Sequence, residues 1–145
     1  MNTPAATFQK KYYKAIGIIA MLWNLMGIMT YLIQLGFDKA TIAAKPKMEQ
    51  ELYSNIPTWY TIIFGIAVFS GFLGSILLLL KKKLSTSLFM ISFLAVLAQM
   101  YYNFFVAQTI AVFGLKSIII PSFVVIISFA LLWYSRKMDE LAILS

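Results

Sequence analysis

The sequence predicts an all-α membrane protein, a four-helix transmembrane bundle with both termini in the cytoplasm. Three observations predict it. Four apolar stretches, at about 15–35, 57–80, 88–107 and 117–134, contain no Asp, Glu, Lys or Arg. Each is close to the roughly 20 residues that a helix rising about 1.5 Å per residue needs to cross a hydrocarbon core about 30 Å thick. The chain is 61% hydrophobic over 145 residues, with a mean hydropathy of +0.85, where ordinary globular chains are about 45–50% apolar. The basic residues, finally, sit beside the apolar stretches rather than along a soluble face. The four stretches take more than half the chain, so residues 1–145 read as a single domain.

The first span follows the basic approach Lys10, Lys11 and Lys14. Its apolar run exceeds the roughly 7–15 residues of a signal-peptide core and no A-x-A site follows, so it reads as a permanent anchor. The outer loop, 36–56, is the longest polar segment. Within it Pro46 precedes Lys47–Tyr53, which reads either as a short interfacial helix ended by Ser54-Asn55, with Met48 and Leu52 on one apolar edge, or as a solvated loop. Span two begins at Pro57, whose missing N–H is no loss in a first turn, and stops at Lys81-Lys82-Lys83. Ser85-Thr86-Ser87 is expected to turn the chain into span three. A link with Gly114 and Lys116 leads to span four, in which Pro121 is expected in the first turn and Arg136-Lys137 at the end.

Orientation follows from the Lys and Arg of the short flanks. With the N-terminus inside, the cytoplasmic side holds eight (Lys10, Lys11, Lys14, Lys81, Lys82, Lys83, Arg136, Lys137) and the outer side four (Lys39, Lys45, Lys47, Lys116). Tyr12-Tyr13 and Trp133-Tyr134 would mark the inner interface and Trp59-Tyr60 the outer one. A bacterial inner membrane is the expected location. The net charge of +7 is matched to anionic lipid headgroups, with Lys81, Lys82 and Lys83 as the candidate contacts, and not to nucleic acid.

Composition removes much chemistry. Cysteine and histidine are absent, which excludes disulfides, thiol catalysis, His or Cys haem ligation and nearly all zinc sites. The five acids, Asp38, Glu49, Glu51, Asp139 and Glu140, all fall outside the spans, whereas ion-coupled carriers keep an ionisable group within the membrane. No enzyme activity, metal or cofactor is expected.

The informative residues are polar or small ones within the spans. Span one places Gly17, Ala20, Asn24, Gly27, Tyr31 and Gln34 at steps of three and four, on one helical face. Span three repeats the pattern with Ser92, Ala95, Gln99 and Asn103. Both run inside to outside, so depths compare directly: Asn24 and Gln99 at about 14 and 17 Å from the inner edge, Tyr31 and Asn103 at about 24 and 23 Å. Matching depths predict that spans one and three face each other. The amides then serve either as interhelical glue or as the lining of an outward-opening polar pocket. Span two carries Ala67, Gly71 and Ser75 at intervals of four, a small-xxx-small face for a close helix partner in the same chain or in another protein.

Trp23-Asn24-x-x-Gly27-x-x-x-Tyr31, Pro57-x-Trp59, Gly71-x-x-Gly74-Ser75 and Gln99-Met100-x-Tyr102-Asn103-Phe104-Phe105 resemble a group of small four-helix bacterial membrane proteins. Members of that group are often called "sugar transporter" without further assignment. In size and topology the chain is also similar to DoxX-like proteins. The expected function is that of an accessory or scaffolding membrane subunit, bound to lipid and to another membrane protein or a second copy of itself. The alternative is binding or passage of a small neutral, sugar-like solute between spans one and three, which is what the resemblance implies.

Overall fold

The computed structural model describes residues 4–145, and those residues are helical with no strand among them. Four helices are long and apolar enough to cross a membrane: α1 (Pro4–Leu35), α4 (Thr58–Leu79), α5 (Leu84–Tyr101) and α7 (Lys116–Glu140). Between them lie the short helices α2 (Lys39–Ala43), α3 (Lys47–Ser54) and α6 (Thr109–Phe113), and a π-helical turn, Tyr102–Val106, that extends α5. The long helices run up, down, up, down. One end of the bundle therefore carries the Lys81–Lys83 turn and the C-terminal residues, and the other carries α2, α3 and α6. These are called here the tail end and the cap end.

Local chemistry explains the boundaries, including those that differ from expectation. Residues 47–54 form the short helix rather than a solvated loop, begun after Pro46 and closed where the Asn55 N–H returns to the Glu51 carbonyl. The helix α2 was not anticipated, although Asp38 supplies its N-cap by accepting from the Thr41 N–H at 2.7 Å. Hydrogen bonding from the Thr41 hydroxyl, and then from the Thr41 N–H, holds the Asp38 carboxyl below its ordinary value. The turn after α4 comes earlier than expected. Lys81 adopts a left-handed conformation, and the N–H groups of Lys81 and Lys82 return to the carbonyls of Leu78 and Leu77, a Schellman cap. Ser85, Thr86 and Ser87 consequently belong to α5 and do not turn the chain, and the buried Ser85 hydroxyl donates to the Gly74 carbonyl at 2.9 Å.

The fourth long helix runs past Arg136-Lys137 to Glu140, because its final turns still have a core to enter: Ser135 and Met138 are fully buried. Basic residues near a helix C-terminus complement its dipole and need not end it. Pro121 lies inside α7, beyond its first turn.

Packing is sequential. α4 lies against both α1 and α5, and α5 against α7, while α1 and α7 touch only slightly. α1 and α5 are therefore not the facing pair that matched depths suggested; α4 stands between them. The main core is at the tail end, where Tyr13 and Ala20 of α1, Leu78 of α4, Phe89 of α5, and Leu131, Leu132, Tyr134 and Met138 of α7 form one cluster. Leu144 joins it, held there as Ser145 exchanges backbone hydrogen bonds with Lys81 and Lys83. A smaller cluster of Ala67, Ala95 and Val96, with Val124 and Val125 against it, joins α4, α5 and α7 at mid-height without α1.

Candidate functional site

The face of α4 that turns inward is made of small residues: Gly65, Ala67, Ser70, Gly71, Gly74 and Ser75 are all buried. Side chains from both neighbours fill the space. A Cβ at Gly71 would fall inside the Asn24 amide, one at Gly74 would crowd the Phe89 ring, and one at Gly65 would crowd the Tyr31 phenol. On the α1 side Gly17 and Gly27 admit Leu79 and Val68 of α4 in the same way. The stripe Gly17, Gly27, Ala67, Gly71 and Ser75 thus packs within the chain. Ser75 donates within α4 to the Gly71 carbonyl at 2.8 Å, while Ser92 of α5 reaches across to the Ala67 carbonyl at 2.7 Å.

Asn24 and Gln99 are both buried, but they do not meet. The Asn24 amide donates to the Ala20 carbonyl of its own helix at 2.9 Å while its oxygen faces Gly71. Gln99 approaches Tyr60 of α4. The Tyr60 hydroxyl also donates to Asn103 Oδ1 at 3.2 Å, so α4 receives the polar residues of both α1 and α5.

Above this level two half-open cavities, called chambers here, lie between the helices and the cap. One chamber of about 210 Å³ lies among Tyr31, Gln34, Phe37, Tyr53, Thr61 and Phe64, between α1, α4 and the α2–α3 cap. A second, of about 140 Å³, shares Gln34, Tyr53 and Ile56 with the first and adds Tyr60, Tyr102 and Asn103. Of the residues singled out from the sequence, Tyr31, Gln34 and Asn103 line these chambers; Asn24 and Gln99 lie below, within the packed bundle. No charged side chain lines either chamber among the described residues. Burial, reinforced by the nearby Glu49 carboxylate, pushes the Tyr53 phenol above its ordinary value.

No family model, curated protein or solved structure matches the chain. The site's residues therefore speak for themselves. Tyr53, Tyr60, Thr61 and Phe64 were not singled out as site residues in the sequence, whereas Tyr102 stands in the aromatic run that was. Phe64 and Tyr60 continue the inward α4 face about one and two turns above Ala67, and that continuation was the readable signal.

The cap is fastened over the chambers. The rings of Phe37 and Tyr53 meet edge to face at 5.3 Å, and the Lys45 ammonium lies 4.8 and 5.2 Å from their centroids. Gln50 adds hydrogen bonds to the carbonyls of Ala43 and Lys45 at 3.2 and 2.6 Å. Cation–π contacts of this kind contribute about 0.5–1 kcal/mol each at exposed sites. Lys45→Met is therefore expected to speed amide hydrogen exchange in residues 39–54 several-fold and leave that of α4 and α5 unchanged. Equal exchange in the two proteins would mean that Lys45 does not hold the cap.

At the tail end the lysine run is partly engaged. Lys81 lies over the Tyr13 ring at 4.8 Å and Lys83 is 3.7 Å from Asp139. Exposed pairs like the latter contribute only about 0–1 kcal/mol, so all three remain able to meet an anionic surface.

Proposed function

We propose that the chain is a multi-pass protein of a bacterial cytoplasmic membrane, with both termini inside, that binds a small uncharged ligand entering its cap end from the outer face. The observation that carries this reading is the contrast between the two ends. At the tail end all four long helices share a close-packed core, whereas at the cap end two adjoining chambers are lined by amides, phenols and rings. Preformed concavities with a few convergent polar groups on apolar walls are the usual form of a small-molecule site. With neutral donors and acceptors and no lining charge, hydroxyl- or carbonyl-bearing solutes fit better than ions. The resemblance to proteins called sugar transporters points to the same ligand class.

The accessory-subunit reading draws in part on the small-residue stripe of α4, which suits a close helix partner in the same chain or in another protein. That stripe is filled from within by Asn24, Tyr31 and Phe89, so it lends an external partner no support.

The chain contains no cysteine, so single introduced thiols report cleanly. In intact cells, Gln34→Cys and Thr61→Cys are expected to react with a membrane-impermeant maleimide added outside, and Lys82→Cys only after lysis. Glucose and glycerol serve as probes of the ligand class: at saturating concentration either should slow labelling of the thiol at position 34, and Asn103→Leu should remove that protection. Labelling of position 82 in intact cells would overturn the orientation. A position-34 thiol that is never labelled, or never protected, would overturn the site.

A further inference from the structure

A third cavity, of about 500 Å³, lies outside the two chambers but adjoins the smaller one. Its walls come from α3, the start of α4 and the π-helical turn, and are mostly apolar: Met48, Leu52, Trp59, Tyr102, Val106 and Ala107. Apart from the Tyr102 phenol and the Trp59 N–H, its polar lining is Glu51 and Asn55, both exposed. Three of its residues, Leu52, Tyr102 and Ala107, also line the chamber that holds Gln34, Tyr60 and Asn103. Polar chamber and apolar groove thus share a wall. The groove also opens sideways, since Trp59 and Val106 are 43% and 55% exposed. On the proposed membrane reading, on which this inference rests, that opening faces the outer interfacial layer of the bilayer. An interfacial Trp whose ring is half in contact with the groove belongs at that depth.

A wholly polar solute would leave this apolar groove unfilled, and a hydrocarbon would offer no hydrogen bond to the polar groups of the chamber beyond the mutually bonded Tyr60 and Asn103. We infer that the ligand is an amphiphile: an uncharged hydroxyl- or carbonyl-bearing head in the chamber of Gln34, Tyr60 and Asn103, and an acyl-like tail lying past Ala107 along Trp59 and Val106. Glu51, at the groove's edge, disfavours an anionic head. The π-helical turn builds this arrangement. By inserting a wider turn at Tyr102–Val106, it places Tyr102 and Ala107 on the shared wall while Asn103 faces the chamber. Such turns are frequent at functional sites.

The test uses full-length protein in phosphatidylcholine nanodiscs with Trp23 and Trp133 replaced by Phe, so that Trp59 is the remaining tryptophan. The probe is a monoacylglycerol brominated along its chain; brominated phosphatidylcholine gives the bulk-lipid baseline. Saturable quenching of Trp59 by the monoacylglycerol is expected at a mole fraction about tenfold below that at which the phospholipid quenches equally, a difference of about 1.4 kcal/mol. Ala107→Phe, which fills the shared wall, should abolish the saturable part and leave quenching by the phospholipid intact, showing that the protein remains folded. Asn103→Leu should weaken it. Quenching no stronger than the phospholipid's, or a saturable part that survives Ala107→Phe, overturns the inference. If glycerol protects the thiol at position 34 and the monoacylglycerol does not quench, the amphiphile is wrong and the cap-end site stands. If that thiol is also unreachable, both fall.

Discussion

Gly71→Ala is expected to destabilise the bundle by about 1–3 kcal/mol, the usual cost of overpacking a close-packed interior, and Asn24→Ala is expected to restore most of the loss. The position leaves no space: a Cβ there would coincide with the Asn24 amide. The amide cannot simply swing aside, because its nitrogen is tied to the Ala20 carbonyl at 2.9 Å and the side chain is buried between two helices. Backbone separation of α1 from α4 is then the remaining relief, and it would loosen the neighbouring contacts of Gly17 with Leu79 and Gly27 with Val68 as well. Helix propensity works the other way, since Ala is favoured over Gly by about 0.8–1 kcal/mol in a helix interior, so the steric term has to exceed it. On the proposed membrane reading, Asn24→Ala alone removes one hydrogen bond worth about 0.6 kcal/mol, and it opens room for a methyl. A double-mutant cycle by thermal unfolding in bicelles should therefore show a coupling of about 1–3 kcal/mol in favour of the pair. Additive effects would mean that Asn24 and Gly71 do not share one space, and the α1–α4 contact would have to be redrawn.

The same residues show what could be read in the sequence and what could not. The three-and-four spacing of Gly17, Ala20, Asn24, Gly27, Tyr31 and Gln34 does mark an inward face, as does Ser92, Ala95 and Gln99 on α5, whose members are buried. The spacing names a face and not the helix opposite. Equal depth on α1 and α5 follows from their running in the same direction, and in an up-down-up-down arrangement helices of like direction are diagonal. The four-residue turn 80–83 forces α4 and α5 together, and it is on the intervening α4 that the small residues make close approach affordable to both neighbours. Gly65, Ala67, Gly71 and Gly74 were thus the better guide to topology than the amides.

Of the site, Tyr31, Gln34 and Asn103 were legible because a polar side chain in an apolar span needs a reason. Tyr53 and Tyr60 were not, because a tyrosine near a span end is explained equally well by the membrane interface. Only the fold, by bringing α3 down over the ends of α1 and α4, separates those two roles.

Ile126→Lys should cost about 2.5–3.5 kcal/mol, the penalty for a lysine at the centre of a membrane helix, and this result bears directly on whether the chain spans a bilayer. Ile126 lies near the middle of α7 and is 63% exposed. In water a substitution at such a position would change stability by no more than about 0.5 kcal/mol in either direction, and a charge would improve solubility. In a bilayer the same position faces hydrocarbon, and the lysine must either bring water with it or pull α7 out of register so that its ammonium reaches a headgroup layer. The second course is obstructed at the tail end, where Met138 and Leu132 are buried against Leu78 and Phe89 and fix the depth of α7. Ile126→Ala separates charge from size: an exposed side chain leaves no cavity when truncated, so that variant should behave as the parent does. The measurement is folded yield in the alkali-resistant membrane fraction, followed by unfolding in bicelles. A lysine variant that is fully folded, unshifted in stability and no longer retained by the membrane would overturn the membrane reading and, with it, the outward-facing site.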